Sequence, residues 1–172
     1  MKKLIALICA RGGSKGIKNK NLLKIKNKSL IRLSIESAKK IKAIKDIYVS
    51  TDSKKIANEA IKCGAKVPFM RPKKLGKDNT PEIYVWRHAI NFLNKNLNIK
   101  PYYIISLPTT SPLRKIKDIK NCIQKAVKND LDILFTATKS FRNPYFNMIK
   151  KNKKKISLVI SNNKKKYFRR QD

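Results

Sequence analysis

Four cations and three glycines share one short stretch of this chain. Between Ala10 and Asn21 stand Arg11, Lys15, Lys18 and Lys20, interleaved with Gly12, Gly13 and Gly16. Glycine permits positive φ and lets a backbone come close to a ligand. Successive backbone N–H groups in such a loop form an anion-binding concavity, and the cations add fixed charge. The chemistry this set suits is the wrapping of a polyphosphate. It matches neither of the two familiar glycine loops. The pattern G-x-x-x-x-G-K-[ST] fails because Lys15 is followed by Gly16, and G-x-G-x-x-G fails because the glycines stand at 12, 13 and 16. A flexible turn in a lysine-rich protein is the other reading of the same residues.

The elements that must position this loop follow from periodicity. Strands are expected at Lys3–Cys9, Ile47–Ser50, Val67–Met70, Tyr102–Leu107 and Leu131–Thr138, each a short apolar run. Helices are expected between them. Leu30–Ile44 carries Ile31, Ile35, Ala38 and Ile41 on one face, with Ser29 as its cap. Ser53 caps a second helix that Gly64 ends. Pro81 suits the first position of a third, which runs to about Asn94, and a fourth spans Ile116–Asn129. Leu22–Lys28 reads as a small hairpin or extended link. Strands alternating with helices define an α/β fold with a parallel sheet and right-handed crossovers. Ligands of such sheets sit beyond the carboxyl ends of the strands. The loops at 10–21, 51–53, 71–80 and 108–114 all fall there, so they are expected to share one ligand. After Lys139 the pattern changes: an irregular aromatic stretch precedes a lysine-tipped hairpin over Met148–Ile160.

The length of 172 residues fits one domain with a real core. The formal net charge of +33 suggests nucleic acid, but only eight of the 43 basic residues are arginine, and the lysines spread over every segment. Phosphate and groove readers lean on the arginine fork. A diffuse bias on solvated faces is the better reading, and nucleic acid is not the expected partner. A field favouring anionic ligands follows either way. Cys9, Cys63 and Cys122 lie far apart within apolar segments and read as buried free thiols. The Lys2-Lys3 start reads as the lead into a core strand rather than a signal, and no stretch approaches the ~20 apolar residues of a membrane span. A cytoplasmic protein with no membrane partner is expected.

Taken in order, Ala10-Arg11-Gly12-Gly13-Ser14-Lys15-Gly16, Lys20-Asn21, Val49-Ser50-Thr51-Asp52, Arg71-Pro72 and Pro108-Thr109-Thr110-Ser111-Pro112-Leu113-Arg114 resemble the acylneuraminate cytidylyltransferases. These include the synthetases of CMP-sialic acid and of its legionaminic and pseudaminic relatives. The resemblance runs from residue 3 to the Arg-Arg-Gln-Asp end. It implies a Rossmann-like three-layer α/β/α fold with a mostly parallel sheet, of the nucleotide-diphospho-sugar transferase type. It also implies transfer of CMP from CTP to an acidic nine-carbon 2-keto sugar, with pyrophosphate released, Mg²⁺ as cofactor and a homodimer as assembly.

The same resemblance assigns residues. Arg11, Lys15 and Lys20 are the implied catalytic cations around the triphosphate, Gly12 and Gly13 its cradle, and Ser14 an α-phosphate contact. Asn21 is implied at the ribose and Arg71 at the cytosine, with Asp78 and Thr80 in the segment that reads the base edge. Thr110, Ser111 and Arg114 are implied at the substrate, and Arg170 at the sugar's carboxylate. Asp52 reads equally as a charge at a helix N-terminus, Arg114 equally as a partner of the sheet edge, and His88 as a packed or surface residue. Two departures stand out. Pro108 replaces a glutamine that contacts the sugar in many sialic acid members, which leaves legionaminic-type sugars open. The paired aspartates that hold Mg²⁺ in the family, with its dimer-forming elements, lie beyond the last residue here. The sequence is therefore expected to be one nucleotidyltransferase domain over 1–172, incomplete at its C-terminal end. The alternatives are another sugar nucleotidyltransferase (a 3-deoxy-manno-octulosonate cytidylyltransferase or a sugar-1-phosphate guanylyltransferase), an inactive nucleotide-binding fragment, and a basic polyanion-binding module. Lys15→Ala is expected to abolish CTP binding, measured by calorimetric titration, while the fold survives. Unchanged affinity would refute the loop assignment.

Overall fold

The structure, a computed structural model, describes residues 3–14, 16–138, 142, 144–145, 148–152 and 155–160. The chain divides into two compact units, Met1–Lys125 and Ala126–Asp172, each described here by itself.

The first unit begins with β1 (Leu4–Cys9), a run of apolar residues with no alternation, which is the signature of a strand covered on both faces. A two-strand hairpin follows, β2 (Lys24–Ile25) and β3 (Lys28–Ser29), turned by Lys26 and Asn27 at positive φ. Two left-handed residues are what a tight hairpin turn of this length demands. Helix α1 (Leu30–Lys39) starts at Ser29, whose Oγ accepts from Arg32 N at 3.3 Å and donates to Glu59 Oε1 at 2.7 Å. Then come β4 (Ile44–Ser50), α2 (Lys54–Lys62), α3 (Glu82–Leu97), β5 (Tyr103–Ser106) and α4 (Ile116–Lys128), the last crossing the boundary between units.

The sheet has the order β4-β1-β5 with both pairings parallel. Leu4, Ala6 and Ile8 point to one face, where they pack with Ile31 and Ile35 of α1, Ile56 and Ala60 of α2, and Ile119 and Ile123 of α4. Ile5 and Leu7 point to the other, against Phe69 and the Ala89 and Leu93 of α3. Side chains two apart share a face, so one strand serves two cores. The result is the α/β arrangement with a parallel sheet that the alternation of elements implied, in the three layers that the resemblance implied. No helix among the described residues is long and apolar enough to cross a membrane.

Two expected strands are absent. Val67–Met70 reduces to one bridge, Lys66 against Tyr48, because Pro68 has no N–H to continue the ladder. Leu131–Thr138, in the second unit, carries no strand, and Ile133 and Phe135 are 79% and 80% exposed. A strand exists through its partner's hydrogen bonds, and the described part of this unit pairs only β6 (Ile149–Asn152) with β7 (Lys155–Leu158). That antiparallel pair is the expected hairpin; its tip lies outside the described residues. Ile61 and Ile83 are about half exposed at the flanks of their helices.

Gly64 ends α2 at φ 79°, and a Cβ there would meet Lys39 Nζ at 2.5 Å. Gly64→Ala should therefore lower stability by about 1–2 kcal/mol, the usual cost of a left-handed non-glycine residue. The urea midpoint measures it, and an unchanged midpoint would contradict the strain.

Candidate functional site

The site grows from the carboxyl end of β1. Ala10 N still donates to Ser50 O at 3.0 Å, one rung past the strand, and then the chain leaves the sheet. Gly12 N–H donates to Asp52 Oδ1 at 2.7 Å, so the residue just after β4 holds the loop that follows β1. The other oxygen of Asp52 occupies the space that a Cβ on Gly76 would need, 2.5 Å away. A Cβ on Gly12 would come within 2.9 Å of Ser53 Cβ. One carboxylate thus fastens the first loop and abuts a second through glycines that permit the approach. Asn21, 4% exposed, adds a third tie: its Nδ2 donates to the Arg11 carbonyl at 2.8 Å, and its Oδ1 accepts from Thr109 Oγ1 at 2.6 Å.

These ties enclose a cavity of about 240 Å³. The β1 loop contributes Arg11, Ser14, Lys20 and Asn21. The 71–80 loop contributes Arg71, Lys77, Asp78 and Thr80, the first turn of α3 Glu82 and Val85, and the β5 loop Pro108, Thr109 and Thr110. Arg71 is 6% exposed and locked: its Nε donates to Ser50 Oγ at 3.1 Å, its Nη2 to Ser50 O at 2.5 Å, and its own N to Thr51 O. Burial lowers its pKa, and the charges of Asp52 and Glu82 oppose that effect. A guanidinium so held presents its remaining donors in a fixed direction. Arg11 forms an ion pair with Asp78 across the two loops, both side chains about one third exposed. A pair that accessible orients more than it stabilises.

Most of the residues implied by the sequence meet here: Arg11, Ser14, Lys20, Asn21, Arg71, Asp78, Thr80 and Thr110 all line the cavity. Lys15 and Arg170 lie outside the described residues. Ser111 is exposed and does not line it. Arg114 turns back to donate to the Pro108 carbonyl, so it braces the β5 loop rather than the sheet edge; burial lowers its pKa. The glycines divide. Gly12 is required by its neighbours, whereas a Cβ on Gly13 or Gly16 would meet nothing within 4 Å. None of the three has positive φ; the left-handed residue of the loop is Asn19. The 51–53 segment lines no part of the cavity, and Asp52 acts through Gly12 and Gly76 instead. His88 packs edge-on against Phe69, ring centroids 5.0 Å apart, and burial followed by the charges of Arg71 and Lys74 lowers its pKa.

Sequence reasoning missed Thr109, Glu82 and Cys9. Thr109 stands within a quoted motif and could have been included. Glu82 carried only the signal of an acid in a helix's first turn, which a dipole explains as well. Among the described residues no group of three or more His, Cys, Asp or Glu side chains is placed to hold a metal ion.

A parallel three-layer α/β unit with an anion-suited cavity at its strand ends is the frame of a nucleotide-handling protein. The family model described as cytidylyltransferase matches residues 5–172, and the chain belongs to that family. It is 41% identical over 149 residues to post-translational flagellin modification protein B of Campylobacter coli, covering 87% of this chain and 63% of that one. It is 40% identical over 156 residues to CMP-N,N'-diacetyllegionaminic acid synthase of Campylobacter jejuni subsp. jejuni, covering 91% and 66%. The chain thus spans about two thirds of the length of these curated relatives. Among solved structures, CMP:2-keto-3-deoxy-manno-octonic acid synthetase complexed with CTP superposes with a TM-score of 0.61 at 20% identity, over 74% of this chain and 48% of that one, a likeness of fold.

Cys9 lines the same cavity, and burial, opposed by Arg71 and reinforced by Glu82, pushes its thiol from 9.0 up to about 12. Between those values the unfolded chain has lost the thiol proton and the folded chain keeps it, so stability falls as pH rises through that window. Melting temperature should therefore drop more steeply from pH 9 to 11 in the unsubstituted chain than in Cys9→Ala. Parallel profiles would show that the thiol is not shielded.

Proposed function

We propose that the cavity is a CTP site and that the chain serves transfer of CMP to an acidic nine-carbon 2-keto sugar. The observation that carries this is the convergence of the β1, 71–80 and β5 loops on one cavity lined by Arg11, Lys20 and Arg71. Membership of the cytidylyltransferase family and the likeness to a CMP-N,N'-diacetyllegionaminic acid synthase support it, and favour a legionaminic-type sugar.

In this reading the sugar's anomeric hydroxyl attacks the α-phosphorus. A new oxygen–phosphorus bond forms as the hydroxyl proton passes to solvent, the bond to the β-phosphate oxygen breaks, and pyrophosphate leaves with the electron pair. Such chemistry is chiefly positioning and charge neutralisation. Arg11 and Lys20 offset the charge on the leaving group. A triphosphate entering the cavity competes with Asp78 for Arg11, exchanging one anionic partner for a better one. Gly13 and Gly16 fit the same picture. A Cβ at either would meet nothing within 4 Å, which leaves the backbone there open to a ligand. Asn21 retains one Nδ2 proton and one Oδ1 lone pair, which a ribose hydroxyl can use.

Two measurements test this. CTP at about a hundredfold its Kd should stabilise the chain by about 2.7 kcal/mol in thermal melts, with GTP far less effective; selective stabilisation by GTP would sink the reading. Gly13→Ala should leave the melting temperature without nucleotide unchanged and weaken CTP binding. Full CTP affinity in that variant would show that the ligand does not lie on this backbone.

A further inference from the structure

Three carboxylates stand at or beside the cavity, and two are tied to a loop backbone or to an arginine. Asp52 accepts Gly12 N–H and fills the space beside Gly76. Asp78 is paired with Arg11. Glu82 differs. It lines the cavity from the first turn of α3; its Oε1 accepts from the neutral indole N–H of Trp86, one turn further along the same helix, at 3.3 Å, and its carboxylate also accepts from the neutral Cys9 thiol. No ion pair ties it to a described lysine or arginine. On the same wall stand Arg71, locked on Ser50, and the neutral Cys9 thiol, and the charges of both Arg71 and Glu82 reach Cys9. The wall therefore offers one fixed donor fork and one carboxylate acceptor, with Val85 beside them.

That pairing matches one pyrimidine edge. Cytosine presents an exocyclic amino donor next to two ring acceptors, and a carboxylate accepts from that amino group. Uracil puts a carbonyl oxygen where the amino group stands, which would face Glu82 as one acceptor against another. We propose that Glu82 separates cytosine from uracil in this cavity, its carboxylate accepting from the exocyclic amino group while Arg71 donates to the ring acceptors. The proposal rests on the CTP reading above. Trp86 holds the carboxylate in place, and α3 is anchored in the core by Ala89 and Leu93, so the acceptor sits on a rigid element rather than on a loop.

Calorimetric titration of the full chain with CTP and with UTP tests it. The unsubstituted chain should prefer CTP by about tenfold or more, the worth of one good base-edge contact. In Glu82→Gln the amide can turn its donor to the uracil oxygen, and the preference should shrink to about threefold or less. Glu82→Ala should weaken CTP without weakening UTP. Glu82→Gln should melt close to the parent without nucleotide, because the amide oxygen can still accept from Trp86. An undiminished preference for CTP in Glu82→Gln would overturn the proposal and assign the base edge to the backbone of residues 77–80. A chain that binds neither nucleotide would overturn the CTP reading itself, and this proposal with it.

Discussion

Strand β1 is paired on both edges and buried on both faces, and the cavity hangs from its carboxyl end. That double constraint leaves the strand no freedom to shift. A one-residue slip would exchange the two cores, sending Ile5 and Leu7 to the face built for Ala6 and Ile8. Everything after Cys9 inherits this fixed origin. Ala10 stays on the ladder through Ser50, and Asp52, two residues past the end of that neighbouring strand, is then within reach of Gly12. The loop that holds the cations is positioned by the register of a parallel pair, not by its own composition.

The charges in the cavity obey a different rule from the charges elsewhere. The net charge of +33 comes from lysines on every segment, and those are screened within about 10 Å at moderate ionic strength. Two of the cavity cations are individually placed. Arg71 is buried on Ser50, and Arg11 is turned by Asp78. An immobilised guanidinium can discriminate geometry, whereas a solvated ammonium supplies only field. The diffuse charge draws anions to the protein, and the placed charges determine which part of an anion is read. The division also explains why the acids cluster here. In a chain with ten acidic residues, Asp52, Asp78 and Glu82 all lie at or beside the cavity, each acting on a neighbour that lines it or ties its loops.

The sequence by itself determined the alternation of strands and helices around β1, the strand-to-loop junction at Cys9, the Ser29 cap, the glycine end at Gly64 and three of the four loops expected at the ligand. These are local properties. Apolar spacing, a capping hydroxyl and a residue free to take positive φ act within a few positions of themselves, so one chain suffices to read them. Tertiary structure decided the rest. It separated Gly12, which Ser53 and Asp52 require, from Gly13 and Gly16, which face open space, though all three look alike in the sequence. It turned Asp52 from a helix-end charge into the clamp of a loop 40 residues away, and brought Glu82 and Cys9 to one wall. It also left Leu131–Thr138 without a strand, since apolar residues of the right type make a strand only when another supplies its hydrogen bonds. Contacts between distant residues depend on register and topology, which set who stands opposite whom, and no local pattern records that.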